Sequence, residues 1–325
     1  MDIKATLGLC LLFSSISVNA SNNLGTPDLD DIEYPDDDAP SQAEVELGKT
    51  LFFDTRLSLN QKQSCATCHN PDLGFGDGVA AGTGTMGGTL GRNTPHIYNL
   101  AWNTTFFWDG RASSLEEQAL GPIEAAGEMN MPLDELLPRL DAVPYYQKQF
   151  KAVYGQSKVS KENLAKAIAA FERSIVSANA PFDQYLSGIE SAMSPTAIRG
   201  YSLFKGKANC TQCHDGANFT DESFHNIGVA GIDPGRDKIS SSKGMHGAFK
   251  TPGLRNTIFT APYMHDGSLA SLEDVVRFYS KGGEGLVGQS KLIKPLNLTE
   301  YEIQDLVAFL GALTDPVVIE RPIIP

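Results

Sequence analysis

The sequence Cys65-Ala66-Thr67-Cys68-His69 recurs as Cys210-Thr211-Gln212-Cys213-His214, and no other feature restricts the fold as much. C-x-x-C-H is the attachment pattern of c-type haem. Two thiols add to the porphyrin, and the adjoining histidine is held under the iron as its proximal ligand. A fold for this chain must therefore enclose two large, flat, apolar groups. A zinc site or a redox dithiol would account for C-x-x-C alone. Zinc ribbons, however, place their second pair within tens of residues, and a dithiol has no need of the trailing histidine. The remaining cysteine, Cys10, lies in the leader, so no structural disulfide is available.

Residues 1–20 read as a secretory signal, with Lys4 in the n-region, an apolar stretch from Leu7 to Ile16, and Val18-Asn19-Ala20 as the cleavage site. That stretch is too short to span a bilayer and no later one qualifies. The mature chain is expected in the periplasm, where c-type haem is attached, with association to a surface left open. A length of 325 residues at 41% apolar suffices for two cores. The formal charge of −13 argues against nucleic acid and points equally to a basic protein partner or to a solubility device.

Residues 21–40, rich in Asp and Pro, read as an extended acidic arm. Helices are predicted over Gln42–Phe53, Ser114–Leu120, Leu133–Leu140, Ser160–Ser177 and Pro195–Phe204. A final one behind the Thr299-x-x-Glu302 capping box runs to about Leu313. Gly74 to Gly91 is a glycine-rich loop, Asn179 to Pro195 reads as a linker, and strand signals are sparse.

The two halves are related. Gly48-x-x-Leu51-Phe52 precedes the first haem motif as Gly200-x-x-Leu203-Phe204 precedes the second. Beyond the motifs, Thr94-Pro95, Asn99, Trp108-Asp109-Gly110 and Ser114-Leu115-Glu116 match Thr251-Pro252, Asn256, His265-Asp266-Gly267 and Ser271-Leu272-Glu273 at a constant spacing of 157. The fold expected is mainly α: two tandem cytochrome c-like domains, each with one covalent c-type haem, over residues 41–180 and 181–325.

The same register sets Tyr279 against Pro122. If this position overhangs the haem in each domain, a phenol oxygen closes the second iron and the first faces a side chain with no donor. An open haem binds peroxide and needs a group to move a proton between its oxygens, for which Glu128 is the candidate. Gln118, one helical turn before Pro122, can stabilise developing charge on a bound oxygen. Taken alone, either residue reads equally as a solvated polar group. Trp108 stands at the repeat position of His265, where an indole between the haems can carry a hole; a packed core Trp is the plainer reading. His96, His225 and His246 read as surface or loop groups, and His265 as a structural hydrogen-bonder near the second haem.

These residues resemble the bacterial di-haem cytochrome c peroxidase and MauG superfamily. The resemblance runs through both haem motifs, Gly91-Arg92-Asn93-Thr94-Pro95, Phe107-Trp108-Asp109-Gly110-Arg111, Gln118, Glu128 and Tyr263-Met264-His265-Asp266-Gly267-Ser268. It implies a peroxide-reactive haem in the first domain, with Glu128 as acid–base, Gln118 as distal glutamine and Trp108 between the haems. It also implies a calcium ion between the domains, held by the Asn93 side chain and the Thr260 and Pro262 carbonyls, oxygen ligands that suit this ion.

Two departures bear on function. Standard peroxidases often carry a histidine in the glycine-rich loop that blocks the first haem until the second is reduced. Here Gly82 to Gly88 has none, and Met86 reads as packing rather than as a ligand. They also place methionine where Tyr279 stands. Methionine suits electron uptake, whereas an anionic oxygen stabilises oxidised iron. Tyrosine here is similar to the MauG and MbnH types, which oxidise aromatic residues of a partner protein through a state with both irons Fe(IV). The expected activity is hydrogen-peroxide-dependent oxidation of an exported protein. The alternatives are a peroxidase fed by a small c-type cytochrome, and a dihaem electron carrier without catalysis, against which Pro122 argues.

Overall fold

The computed structural model describes residues 24–240, 242 and 244–325; the leader, with Cys10 and the cleavage site, lies outside the described residues. Helix starts are set by hydroxyl caps. Ser41, Ser114, Ser160, Ser194, Ser271 and Thr299 each accept a backbone N–H three residues on, at 3.1–3.3 Å. In the first half these and their neighbours open α1 (Gln42–Phe53), α2 (Cys65–Cys68), α3 (Leu115–Glu124), α4 (Leu133–Asp141), α5 (Pro144–Tyr154) and α6 (Lys161–Arg173). In the second they open α7 (Pro181–Leu186), α8 (Pro195–Lys205), α9 (Leu272–Lys281) and α10 (Glu300–Gly311). The only sheet among the described residues pairs Phe224–His225 with Phe249–Lys250. The fold is mainly helical, with two cytochrome c-like domains.

Each half is built on one helix crossing. In the first, α1 packs on α6; in the second, α8 packs on α10. The glycines that the sequence repeat aligns lie at the two crossings. A Cβ on Gly48 would sit 1.7 Å from the carbonyl oxygen of Ala167, and one on Gly200 would sit 1.9 Å from that of Asp305. Backbone there cannot yield as a side chain would. Gly48→Ala and Gly200→Ala are each expected to destabilise the protein by about 3 kcal/mol through overpacking. Thermal unfolding of the two variants, with their haem content, checks this.

The apolar side chains divide accordingly. Leu47, Leu51, Ile123, Leu136, Phe150 and Ile168 belong to a core of the first half, and Phe182, Phe204, Phe219, Leu306 and Phe309 to that of the second. The halves meet in an exchange that obeys the repeat. Asn93 N–H donates to the carbonyl of His265, and Lys250 N–H, its counterpart, donates to that of Trp108, both at 2.8 Å. Asn99 and Asn256 are a matched pair too. Each is left-handed, and each Oδ1 accepts one N–H, from Ser177 and Asp315 respectively, at 2.7 Å.

Several expectations need correction. The helix predicted to Ser177 ends at Arg173, where the N–H of Ser174 turns back to Phe171. Residues 144–154 form α5, which the sequence reading passed over although Pro144 is well placed at its first turn. The stretch from Asn179 to Pro195 is no bare linker. Phe182 is fully buried, and Asp183 makes a two-point ion pair with the buried Arg255, both contacts at 2.8 Å. The same guanidinium donates to the carbonyl of Gly25 at 3.1 Å, and Leu24 enters the second core. Over its described part the acidic arm is thus tied down rather than freely extended. Leu29–Asp31 and Pro35–Asp37 are 3-10 turns, and the carbonyl of Asp28 accepts from the Trp102 indole.

Candidate active site

One cavity of about 1740 Å³ runs through the seam between the halves, and both haem motifs open into it. Cys68, His69, Cys210, Cys213 and His214 line it, while Cys65 packs in the wall behind beside Phe52 and Ala66. Burial pushes the Cys68 thiol up to about 11 and Cys210 up to about 12. Neither is poised as a thiolate at neutral pH, which weakens the zinc and dithiol readings. The only metal-like cluster among the described residues joins Cys213 to Asp221 and His225, not to a second cysteine.

Both histidines are aimed in the same way. His69 Nδ1–H donates to the carbonyl of Phe75 at 3.2 Å, and His214 Nδ1–H to that of Phe219 at 2.9 Å. This leaves Nε2 as the nitrogen free for iron. Phe75 and Phe219 are fully buried and left-handed, at φ of 60° and 58°, an uncommon state for a bulky residue that turns each carbonyl to its histidine. Burial lowers both imidazole pKa values, favouring the neutral form that binds metal. Nothing in the sequence patterns singled these phenylalanines out. Their signal was a Phe five or six residues after each motif histidine.

Helix α3 carries Pro122 within its length, and Pro122 lines the cavity. Proline has no N–H to give the carbonyl of Gln118 one turn earlier. The Gln118 side chain also lines the cavity, and its Oε1 is buried with no hydrogen-bond partner. An orphaned acceptor beside a void is what a site for a bound group leaves behind. Glu128 lines the same space on the loop after α3. Its position is fixed from the glycine-rich loop, where Thr85 N–H donates to the Glu128 carbonyl at 2.7 Å and Gly84 lies where a Cβ would reach the carbonyl of Gly127. Burial raises the Glu128 pKa, partly offset by the Arg111 guanidinium, which stacks on Phe107 at 3.5 Å. Met86 is 70% exposed, so it is not the packing group expected.

Tyr279, on α9, lines the second half of the cavity, and burial pushes its phenol well above the ordinary range. Deprotonation of this phenol would need a cation bound beside it. Trp108 lies on the seam, with its indole N–H donating to the carbonyl of Asn93 at 2.9 Å. Asn93 is buried; its Nδ2 donates to the Val79 carbonyl at 2.9 Å, so its Oδ1 is left for another partner. Asn93, Thr260 and Pro262 all line the cavity. A donor set, two thioether cysteines and a histidine per half, and a cavity shared between them fit two haems.

Of the other histidines, His96, His225 and His265 differ from expectation, and His246 does not. His96 is buried at the seam: its Nε2–H donates to the carbonyl of Gly253 at 3.0 Å, its own repeat partner, and Nδ1 accepts from Tyr98. His225 pairs with Asp221 at 2.7 Å, and that carboxylate, with the nearby Cys213 sulfur, lifts its pKa to about 10. His265 makes its hydrogen bond through its carbonyl, while its ring stacks on Phe249 at 3.6 Å. His246 is exposed, 3.6 Å from Asp237.

The family description "Di-haem cytochrome c peroxidase" matches residues 42–191. The chain is 47% identical over 299 residues to a methylamine utilization protein MauG of Methylorubrum extorquens, covering 90% of this chain and 85% of that protein. It is 34% identical over 328 residues to the cytochrome c551 peroxidase of Nitrosomonas europaea, covering 98% and 93%. A crystal structure of a MauG-like protein associated with microbial copper homeostasis superposes with a TM-score of 0.82 at 33% identity, over 87% of this chain and 92% of that one.

Proposed function

The chain belongs to the di-haem cytochrome c peroxidase family and is a haem peroxidase, and from that premise we propose that it is a MauG-like enzyme, using hydrogen peroxide to oxidise aromatic residues of an exported partner protein. Residues 41–180 form the peroxidatic unit and residues 181–325 the electron-transfer unit. When bound, the haem irons supply the electrons that cleave the peroxide bond. His69 holds the first haem from below. Glu128 takes the proton from the near oxygen of the entering peroxide and returns it to the departing one, which leaves as water. The Gln118 side chain, without a partner of its own, steadies the charge that develops. Trp108, on the seam, links the two sites, and Tyr279, as an oxygen donor to the haem that His214 would hold, would favour its oxidised form. Calcium fits between the domains at Asn93 Oδ1 and the Thr260 and Pro262 carbonyls. A periplasmic location follows from the leader, and no helix among the described residues is long and apolar enough to cross a membrane.

The observation that carries this reading is the contrast between Pro122 and Tyr279 across one cavity. The second reading, a cytochrome c peroxidase, is favoured by the cytochrome c551 peroxidase match. One equivalent of peroxide added to the ferric holoprotein separates them. The MauG-like reading expects both iron signals in the Mössbauer spectrum to shift together and persist. Reaction only after prior reduction by a cytochrome would contradict it.

A further inference from the structure

The two haem motifs stand 145 apart, whereas matched positions from Asn93 and Lys250 onward stand 157 apart, so the second half carries extra chain between His214 and Lys250. The inner side of that loop is committed to the first half. Asp233 grips Arg92 at two points, 2.7 and 2.9 Å, and Arg236 donates to the carbonyls of Asp109 and Gly110 at 2.7 and 3.0 Å. A second loop, 283–296, is stitched to it: Ser290 N–H reaches the carbonyl of Asn226 at 2.8 Å and Glu284 N–H that of Gly228 at 3.2 Å. Leu296 N–H then bonds the carbonyl of Ser280, next to Tyr279, at 2.9 Å. The two loops make a collar at the mouth of the haem cavity, on the side of Tyr279.

What the collar shows to solvent is apolar and cationic. Ile232 is 99% exposed, and with Ile239, Leu292, Lys238 and Lys294 it lines the cavity mouth; Val287 on the second loop is wholly exposed. Large apolar groups left in water around an opening mark a contact surface. Of the collar's carboxylates, Asp233 is paired with Arg92 and Glu284 with Lys281, while Asp237 faces the His246 ring at 3.6 Å. Lys238, Lys291 and Lys294 have no ion-pair partner among the described residues. On a chain of charge −13, these two joined loops thus carry three unpaired lysines.

We propose that this collar is the docking surface for the protein substrate, and that the substrate presents an acidic face around an apolar contact. The assignment rests on the function proposed above. It reverses the expectation drawn from net charge, because the local surface and not the total sets the docking field. A lipid bilayer fits less well, since it would cover the opening and offer no oxidisable side chain.

Reduced c-type cytochromes of opposite charge serve as probe surfaces for the holoprotein with peroxide. The acidic cytochrome is expected to be oxidised about 10-fold faster than the basic one at low ionic strength, with the advantage falling as salt rises. The triple variant K238E/K291E/K294E should invert that preference while reacting with peroxide and a small uncharged reductant as the parent does. Ile232→Ser should slow the acidic donor without altering its salt dependence. A faster basic donor, a triple variant with unchanged preference, or retention on phosphatidylglycerol vesicles through the same three lysines would overturn the assignment. Failure of the ferric holoprotein to react with peroxide would overturn the function itself, and this assignment with it.

Discussion

Glu128→Gln is expected to slow the reaction with hydrogen peroxide about 10²–10⁴-fold, the usual contribution of a positioned acid–base group. Glutamine keeps the size of the side chain and its place against the glycine-rich loop, so the haem content and resting optical spectrum should not change. The pH profile carries the second half of the test. The carboxylate is the form that accepts the first proton, and burial holds the Glu128 pKa above its ordinary value. The parent rate should therefore rise with pH through that raised value, and the variant should lose the step. Stopped-flow traces across the pH range check both. A variant that keeps the parent rate would remove Glu128 from the chemistry.

Tyr279→Phe is expected to have an effect of similar size on a different quantity. Phenylalanine fills the same buried space on α9 but offers the second iron no oxygen. An anionic oxygen lowers the potential of the haem it ligates, and for a one-electron couple a change of about 120 mV is a hundredfold in the equilibrium. The variant should take up peroxide at the first haem nearly as fast as the parent. Its oxidised state should then decay about 100-fold faster, because the second haem no longer shares the load. Rapid-scan optical spectroscopy separates the two phases.

The contrast between Pro122 and Tyr279 could be drawn before any coordinates, because the chain repeats and a spacing of 157 sets the two in register. The haem motifs, the Thr299 capping box and the repeat that aligns Gly48 with Gly200 were equally legible, since each is a local pattern. Other features were not. Arg255 gathers Asp183 and Gly25 from distant segments, and no short window of sequence shows that. The carbonyls of Phe75 and Phe219 orient the proximal histidines through backbone geometry, which side-chain identity does not announce. His96 resembled a loop histidine because its partner, the Gly253 carbonyl, lies in the other half.

Everything proposed for the chemistry depends on two irons that differ in what covers their outer face. Electron paramagnetic resonance of the resting ferric holoprotein reads this directly. The expected spectrum superimposes a high-spin signal, from the haem on His69 beneath Pro122, on a low-spin signal from the haem between His214 and Tyr279, with only the second altered in Tyr279→Phe. Two low-spin signals in the parent, or a Tyr279→Phe spectrum identical to it, would contradict the vacant first site and the phenolate-capped second.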